Sequence, residues 1–201
     1  MGERLYCDKR VKGETRMKLR LLATTIAVIM ALTIGSTAGA YLVEPQINRQ
    51  IAAHTVAETA RAVGYAESST IIQAASADWW AAQNEIESQL DLLTRVVWFE
   101  AGSSWISDRQ QQLVAAVVCN RVADSRFPST LNGVVYQSGQ YSCSGRLYSI
   151  SASAIPARVR ANAKAAAYGQ VECPANVVFQ AGFRQGRGVY EKGYNTYFCY
   201  G

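Results

Sequence analysis

The chain has 201 residues, enough for one sizeable domain with additional segments, and its 49% hydrophobic and 17% charged residues are typical of a globular protein. Residues 1–20 hold seven basic and three acidic side chains, which leaves 13 basic and 12 acidic side chains in the remainder. The nearly neutral remainder argues against a nucleic-acid-binding surface. His54 is the only histidine and no C-x-x-C pair is present, so the common zinc sites and a Ser-His-Asp triad are not favoured. We therefore predict no nucleic acid partner, no metal and no cofactor.

The N-terminal region has the pattern of an export signal. A basic tail at residues 1–20 precedes a mostly apolar segment at 21–43, which contains the Ala-Gly-Ala sequence 38–40. This order fits a signal peptide with a cleavage site. The segment is also near the roughly 20 apolar residues that a membrane-spanning helix needs. Both alternatives predict that the following residues lie outside the cytoplasm, and both predict membrane contact through residues 21–43.

Residues 44–89 are rich in Ala, Gln, Glu and Ser and have a loosely helical apolar spacing. We interpret them as a helical stalk or spacer with a hairpin near Gly64. Trp79 and Trp80 are expected to pack against the next domain, to lie near the membrane, or to contact an accessory protein.

Residues 85–100 have the apolar spacing of an amphipathic helix, which Gly102 is expected to end. Ser107 is expected to open a second helix over residues 108–122. Ser107 and Gln110 have the spacing of a capping box, in which the hydroxyl accepts from the N3 amide and Gln110 bonds back.

The last third of the chain changes from helix to strand. Pro156 and Gly169 fit the start and the end of a helix over residues 157–168. Strands are predicted at 177–180 and 196–200, with a glycine-rich turn at 182–188 between them. Helices followed by a small antiparallel sheet indicate an α+β fold.

Glu100 is the candidate catalytic residue. It follows Trp98 and Phe99 where the first apolar helix ends, and apolar neighbours raise the pKa of a carboxyl group. A glutamic acid that stays protonated near neutral pH can donate its proton to a glycosidic oxygen. The alternative is a solvated glutamate at a helix end. Asp108, in a first helical turn, and Asp124, just after a helix end, do not fit the role of a second catalytic carboxylate.

Six sequence blocks occur in a fixed order in the region of Glu100. They are Leu-Thr-Arg-Val-Val-Trp-Phe-Glu-Ala (93–101), Gln-Leu-Val-Ala-Ala-Val-Val-Cys-Asn-Arg-Val (112–122), Arg-Phe-Pro-Ser-Thr-Leu (126–131), Gly-Val-Val-Tyr-Gln (133–137), Gly-Gln-Tyr-Ser (139–142) and Asn-Thr-Tyr-Phe-Cys (195–199). Together, in this order, they resemble the spore cortex-lytic (SleB-like) cell wall hydrolases. The resemblance covers residues 90–201, the size of a small domain.

The resemblance implies a lysozyme-like α+β domain at residues 90–201 that cleaves the bond between N-acetylmuramic acid and N-acetylglucosamine in peptidoglycan. Such enzymes are similar to lytic transglycosylases, whose single acid also serves as the base, and Glu100 stands at that position. Many relatives have a second glutamate in Glu-Ala-Arg-Gly-Glu, where this chain has Glu-Ala-Gly-Ser-Ser (100–104). Residues 177–182 also replace the aromatic-Asn-Pro element of relatives.

Substrate contacts are expected from Gln140, Tyr141 and Tyr136, because amides and phenols bond to sugar hydroxyl and acetamido groups. For Tyr136, core packing is an equal alternative.

The four cysteines after the apolar segment allow three pairings, and Cys173–Cys199 is preferred because both flank the predicted strands.

Three alternatives to the transglycosylase remain: a muramidase that uses water, an amidase, for which no metal cluster or Cys-His pair is evident, and a non-catalytic wall-binding module. The target is either spore cortex or vegetative wall.

Overall fold

The computed structural model describes residues 42–67 and 69–201. The predicted basic tail and nearly all of the apolar segment 21–43 lie outside these ranges. The last two residues of that segment, Leu42 and Val43, are buried. Within the described ranges, no helix combines the length and the apolar character that crossing a membrane requires.

The described residues fall into two compact units, one formed by 46–67 and 69–84 and the other by 42–45 and 85–201. The helices are α1 (Glu44–Ala62), α2 (Thr70–Ala101), α3 (Asp108–Ala123), α4 (Leu131–Val135) and α5 (Ala157–Ala167). Two short 3₁₀ helices cover Ser144–Ser149 and Ala152–Ala154. The strands are β1 (Val177–Ala181), β2 (Gly188–Lys192) and β3 (Tyr197–Tyr200).

The first unit contains most of α1 and the first part of α2. Gly64 has a φ of 86°, and the Tyr65 amide donates to the Ala60 carbonyl at 3.0 Å, which closes the end of α1. Trp79 and Trp80 meet edge to face with ring centroids 4.7 Å apart. Trp80 is 61% exposed, and contact of this surface with an accessory protein stays a prediction.

Helix α2 ends at Ala101, because Gly102 follows under the indole ring of Trp98. A Cβ at Gly102 would collide with the Trp98 ring and with the Trp98 carbonyl. Only a residue without a side chain fits there.

Helix α3 begins as predicted, with the Ser107 hydroxyl accepting from the Gln110 amide at 3.2 Å. The other half of the predicted capping box is wrong. The Gln110 side chain is buried and donates to Asn195 and Thr196, while its oxygen accepts from the Tyr194 amide at 2.7 Å. These bonds connect the first turn of α3 to the β2–β3 turn.

The sheet has the order β1-β3-β2, and both pairs are antiparallel. Strands β1 and β3 were predicted, and the α+β class with a small antiparallel sheet is confirmed. Strand β2 was not predicted, and its side chains are partly or fully exposed, so no apolar pattern marks it. The apolar run at 134–136 belongs largely to α4, which Thr130 caps by accepting from the Gly133 amide.

The predicted Cys173–Cys199 disulfide is wrong. Cys119, Cys143, Cys173 and Cys199 are all free thiols. Cys199 lies in the central strand and is fully buried, whereas Cys173 lies before β1 beside Asn120, whose amide is 3.7 Å from the Cys173 sulfur. Flanking two paired strands does not by itself bring two sulfur atoms to the bonding geometry of a disulfide.

Candidate active site

Glu100 lies in the last turn of α2 and its side chain is exposed. The enclosed apolar environment predicted for it is therefore wrong, although Trp98 and Phe99 are half-buried beside it. The Cys143 thiol donates to Glu100 Oε1 at 3.4 Å. Among the described residues Glu100 forms no ion pair.

Cys143, which donates to Glu100, is 1% exposed. Burial raises the pKa of the Cys143 thiol to about 12, and the charge and hydrogen bond of Glu100 add to this rise. The thiol therefore stays protonated at neutral pH and remains a donor. It holds one carboxylate oxygen of Glu100 and leaves the other free for a substrate.

Tyr141 was expected to contact sugar with its ring, but it is only 4% exposed. Its hydroxyl accepts from Arg121 Nη1 at 3.1 Å, and Arg121 Nε donates to the Val178 carbonyl at 2.7 Å. Burial raises the pKa of Tyr141 above its ordinary range, Arg121 opposes the rise, and the nearby Glu100 carboxylate adds to it. Tyr141 is thus linked to strand β1 by hydrogen bonds through Arg121, and it lies near enough to Glu100 for that carboxylate to affect the pKa of its hydroxyl.

Asn120, next to Arg121 near the end of α3, binds the chain at the start of β1: its Nδ2 donates to the Pro174 and Val177 carbonyls at 2.9 Å. Arg121 also contacts the turn at 124–131, since its guanidinium lies 5.4 Å from the centre of the Phe127 ring.

A buried amide network fixes the end of α2 that carries Glu100. Gln111 is fully buried, and its Nε2 donates to the Ala101 carbonyl at 2.8 Å. Its oxygen accepts from Asn162 of α5 at 2.9 Å. The network satisfies a carbonyl that a helix end leaves without a partner.

Exposed tyrosines lie on the same unit. Tyr136 directly follows α4 and is 48% exposed, so it is not a core residue. Tyr148 is 61% exposed, and its ring lies 4.5 Å from the Arg95 guanidinium. Arg95 is buried and donates to the Leu147 and Ile150 carbonyls, which attaches the first 3₁₀ helix to α2.

Gln140, the third predicted contact residue, is exposed after a turn in which Gly139 has a φ of 75°. Tyr148 was not predicted, because nothing in its local sequence distinguishes it from other surface tyrosines.

Four acidic residues elsewhere in the second unit are paired with arginine. The pairs are Asp91–Arg95 at 2.8 Å, Asp108–Arg158 at 3.2 Å, Asp124–Arg126 at 2.6 Å and Glu191–Arg109 at 2.7 Å. These carboxylates have structural partners, whereas that of Glu100 has a thiol. The arrangement provides an accessible carboxyl group that is held at one oxygen, in a unit that also carries exposed aromatic and amide side chains.

Comparison with known proteins gives two matches. The chain resembles the crystal structure of the catalytic domain of the Bacillus cereus SleB protein, with 20% sequence identity and a TM-score of 0.47, over 56% of this chain and 90% of that one. The search of curated proteins gave no match. The family model described as Cell Wall Hydrolase matches residues 105–181, a range that begins five residues after Glu100. Residues 105–181 are therefore similar to the cell wall hydrolase family, in agreement with the resemblance.

Proposed function

We propose that this protein is an extracytoplasmic peptidoglycan-cleaving enzyme of the lytic transglycosylase type, with a lysozyme-like domain at residues 90–201 and Glu100 as its catalytic residue. The observation that carries the proposal is the state of Glu100: an exposed carboxyl group at a helix end, bonded by a protonated thiol instead of an arginine. The family of residues 105–181 supports peptidoglycan as the substrate.

In the proposed reaction, the Glu100 carboxylic acid donates its proton to the oxygen of the bond between N-acetylmuramic acid and N-acetylglucosamine. The C1–O bond then breaks, and the developing positive charge lies on the muramic ring. The Glu100 carboxylate next accepts the proton of the muramic 6-hydroxyl group while that oxygen attacks C1. The product is a 1,6-anhydro ring, and Glu100 is again protonated.

The pairing of the other acids favours this single-acid route. An enzyme that retains configuration through a covalent intermediate needs a second carboxyl group about 5 Å from the first, and an inverting enzyme needs one at about 6.5–9.5 Å. Asp108 and Asp124 each bind an arginine, so neither has the free carboxylate of a nucleophile.

We assign Gln140 and Tyr136 to direct sugar contact, because both are exposed. Tyr141 is assigned to positioning, because its hydroxyl is already bonded to Arg121.

The test is Glu100→Gln on purified murein, with Glu172→Gln as a matched control, since Glu172 is also an exposed glutamate of this unit. We expect the first variant to lose release of soluble fragments by at least about a hundredfold, and the second to keep the parent rate. Equal release by Glu100→Gln and the parent would show that Glu100 is not the acid.

Mass spectrometry of the released fragments distinguishes the alternatives. Anhydromuramic ends support the transglycosylase, whereas reducing ends, heavier by one water, indicate a muramidase. Binding to murein without any release would indicate a wall-binding module.

A further inference from the structure

Arg146 shares a face of its 3₁₀ helix with Cys143. The Arg146 amide donates to the Cys143 carbonyl at 3.0 Å, and residues i and i+3 of a 3₁₀ helix are eclipsed. Cys143 points to Glu100, because its thiol donates to that carboxylate. Arg146 therefore extends from the same side of the segment as the donor to the candidate acid.

The Arg146 guanidinium lies 5.4 Å from the centre of the Phe99 ring, next to Glu100 in sequence. The ring holds the cation through a cation–π contact. The positive charge of Arg146 also opposes the rise of the Cys143 pKa, as expected for a cation near that thiol. Arg146 thus lies at the candidate active site but forms no ion pair with Glu100 or with any other described carboxylate.

The free charge of Arg146 contrasts with the arginines that support the fold. Arg95, Arg121 and Arg109 all bind carbonyls or side chains of neighbouring elements. Arg146 is exposed, and no described side chain accepts from its guanidinium. Because arginine stays charged at every relevant pH and binds carboxylates with two parallel hydrogen bonds, such a residue is suited to an anionic ligand.

We propose that Arg146 is a specificity-determining residue that binds the carboxylates of peptidoglycan stem peptides. The inference rests on the proposed function. Stem peptides are attached through the lactyl carboxyl group of the muramic residue whose bond Glu100 would cleave, and they carry free carboxylates, whereas the sugars of such a strand are uncharged. A cation at this site therefore makes the enzyme prefer strands whose stem peptides keep free carboxylates to strands in which these groups are neutral.

The test measures binding in the full chain carrying Glu100→Gln, so that substrate is not consumed. Kd is determined for two materials: murein with its stem peptides, and the same murein after its free carboxylates have been converted to neutral amides with a carbodiimide and ammonia. The compared variants add Arg146→Gln, Arg146→Lys or Arg184→Gln. Arg184 is the matched control, because it is also an exposed arginine over an aromatic ring, 5.8 Å from the centre of Tyr197.

We expect Arg146→Gln to weaken binding of peptide-bearing murein about fivefold at low salt, the size expected for a largely exposed ion pair. Binding of the amidated murein stays unchanged, and the difference shrinks at high salt because the charges are screened. Arg146→Lys retains part of the preference, and Arg184→Gln retains all of it.

Equal weakening on both materials, no weakening on either, or the same loss with Arg184→Gln would overturn the role of Arg146. The proposed function fails separately, if the Glu100→Gln chain still releases fragments at the parent rate. The binding comparison then still decides the role of Arg146. A parent chain that neither binds nor cleaves either material contradicts both proposals.

Discussion

At the scale of single residues, the chemistry of the site depends on how few partners Glu100 has. Four carboxylates of the second unit bind arginines. Glu100 instead accepts from a thiol whose pKa is raised to about 12, a weak neutral donor that is present at every working pH. Glu100 is thus held at one oxygen by a neutral donor and has no arginine partner among the described residues.

The contact between Cys143 and Glu100 predicts different results for two substitutions. Cys143→Ala removes the donor to Oε1, so kcat on murein is expected to fall about two- to tenfold, the value of one neutral hydrogen bond. Cys143→Ser keeps a donor and is expected to recover most of this loss. Steady-state kinetics give kcat and KM, and thermal unfolding shows whether either variant is destabilised. Equal losses for both variants at unchanged stability would contradict a donor role.

At the scale of elements, polar side chains at helix ends connect parts of the chain that are distant in sequence. Gln110 and Gln111 are neighbours in the first turns of α3, yet one binds the β2–β3 turn and the other binds the end of α2. Arg95 attaches the first 3₁₀ helix to the middle of α2. The position of Glu100 therefore depends on amides and guanidiniums in the interior as well as on apolar packing.

The ion pair between Asp124 and Arg126, at the end of α3, leads us to expect a change of thermal stability with pH. The Arg126 guanidinium and amide, which donate to Asp124, lower the pKa of that carboxyl from 3.8 to about 2. Because this pKa is lower in the folded chain, the contribution is present above pH 3.8 and is lost as the pH falls towards 2. Asp124→Asn removes it, so the difference in Tm between parent and variant should be larger at pH 6 than at pH 2.

The measurement is thermal unfolding from pH 2 to pH 6, with Asp78→Asn as the control, since Asp78 is an exposed aspartate of α2. The Tm of the control should equal that of the parent at every pH. If the Tm difference between the parent and Asp124→Asn does not change with pH, the charged carboxylate of Asp124 does not stabilise the fold.

At the scale of the whole molecule, all the proposed active-site residues belong to one of the two units. Glu100, Cys143, Tyr141 and Arg121 lie within 85–201. Residues 46–67 and 69–84 form a helical unit with its own small core around Ala60 and Ile72. The chemistry should therefore not need that unit.

A variant that begins at residue 85 tests this division. It is expected to release fragments from murein at the parent rate per folded molecule, and to have a lower Tm, because it lacks Leu42 and Val43, which are buried and belong to the second unit. The measurements are murein release and thermal unfolding. Loss of release in a variant that still unfolds cooperatively would assign part of the active site to the removed residues.

Periodicity and terminal residues located the long helices. Ser107 and Pro156 start helices, Gly102 and Gly169 follow helix ends, and strands β1 and β3 were visible as apolar runs. These features are local, since a few neighbouring residues determine them. Strand β2 was missed because it is an edge strand that pairs only with β3, and its partly or fully exposed side chains show no apolar pattern.

The sequence by itself determined the α+β class and the cell wall hydrolase resemblance, and it proposed Glu100 as the acid. The tertiary structure decided the surroundings of that carboxyl group: exposure instead of an apolar wall, Cys143 as its donor, and Tyr141 buried against Arg121. It also left all four described cysteines unpaired. The reason is physical: periodicity and helix ends are set by neighbouring residues, whereas Cys143 is 43 residues from Glu100, and only packing brings such groups within hydrogen-bonding distance.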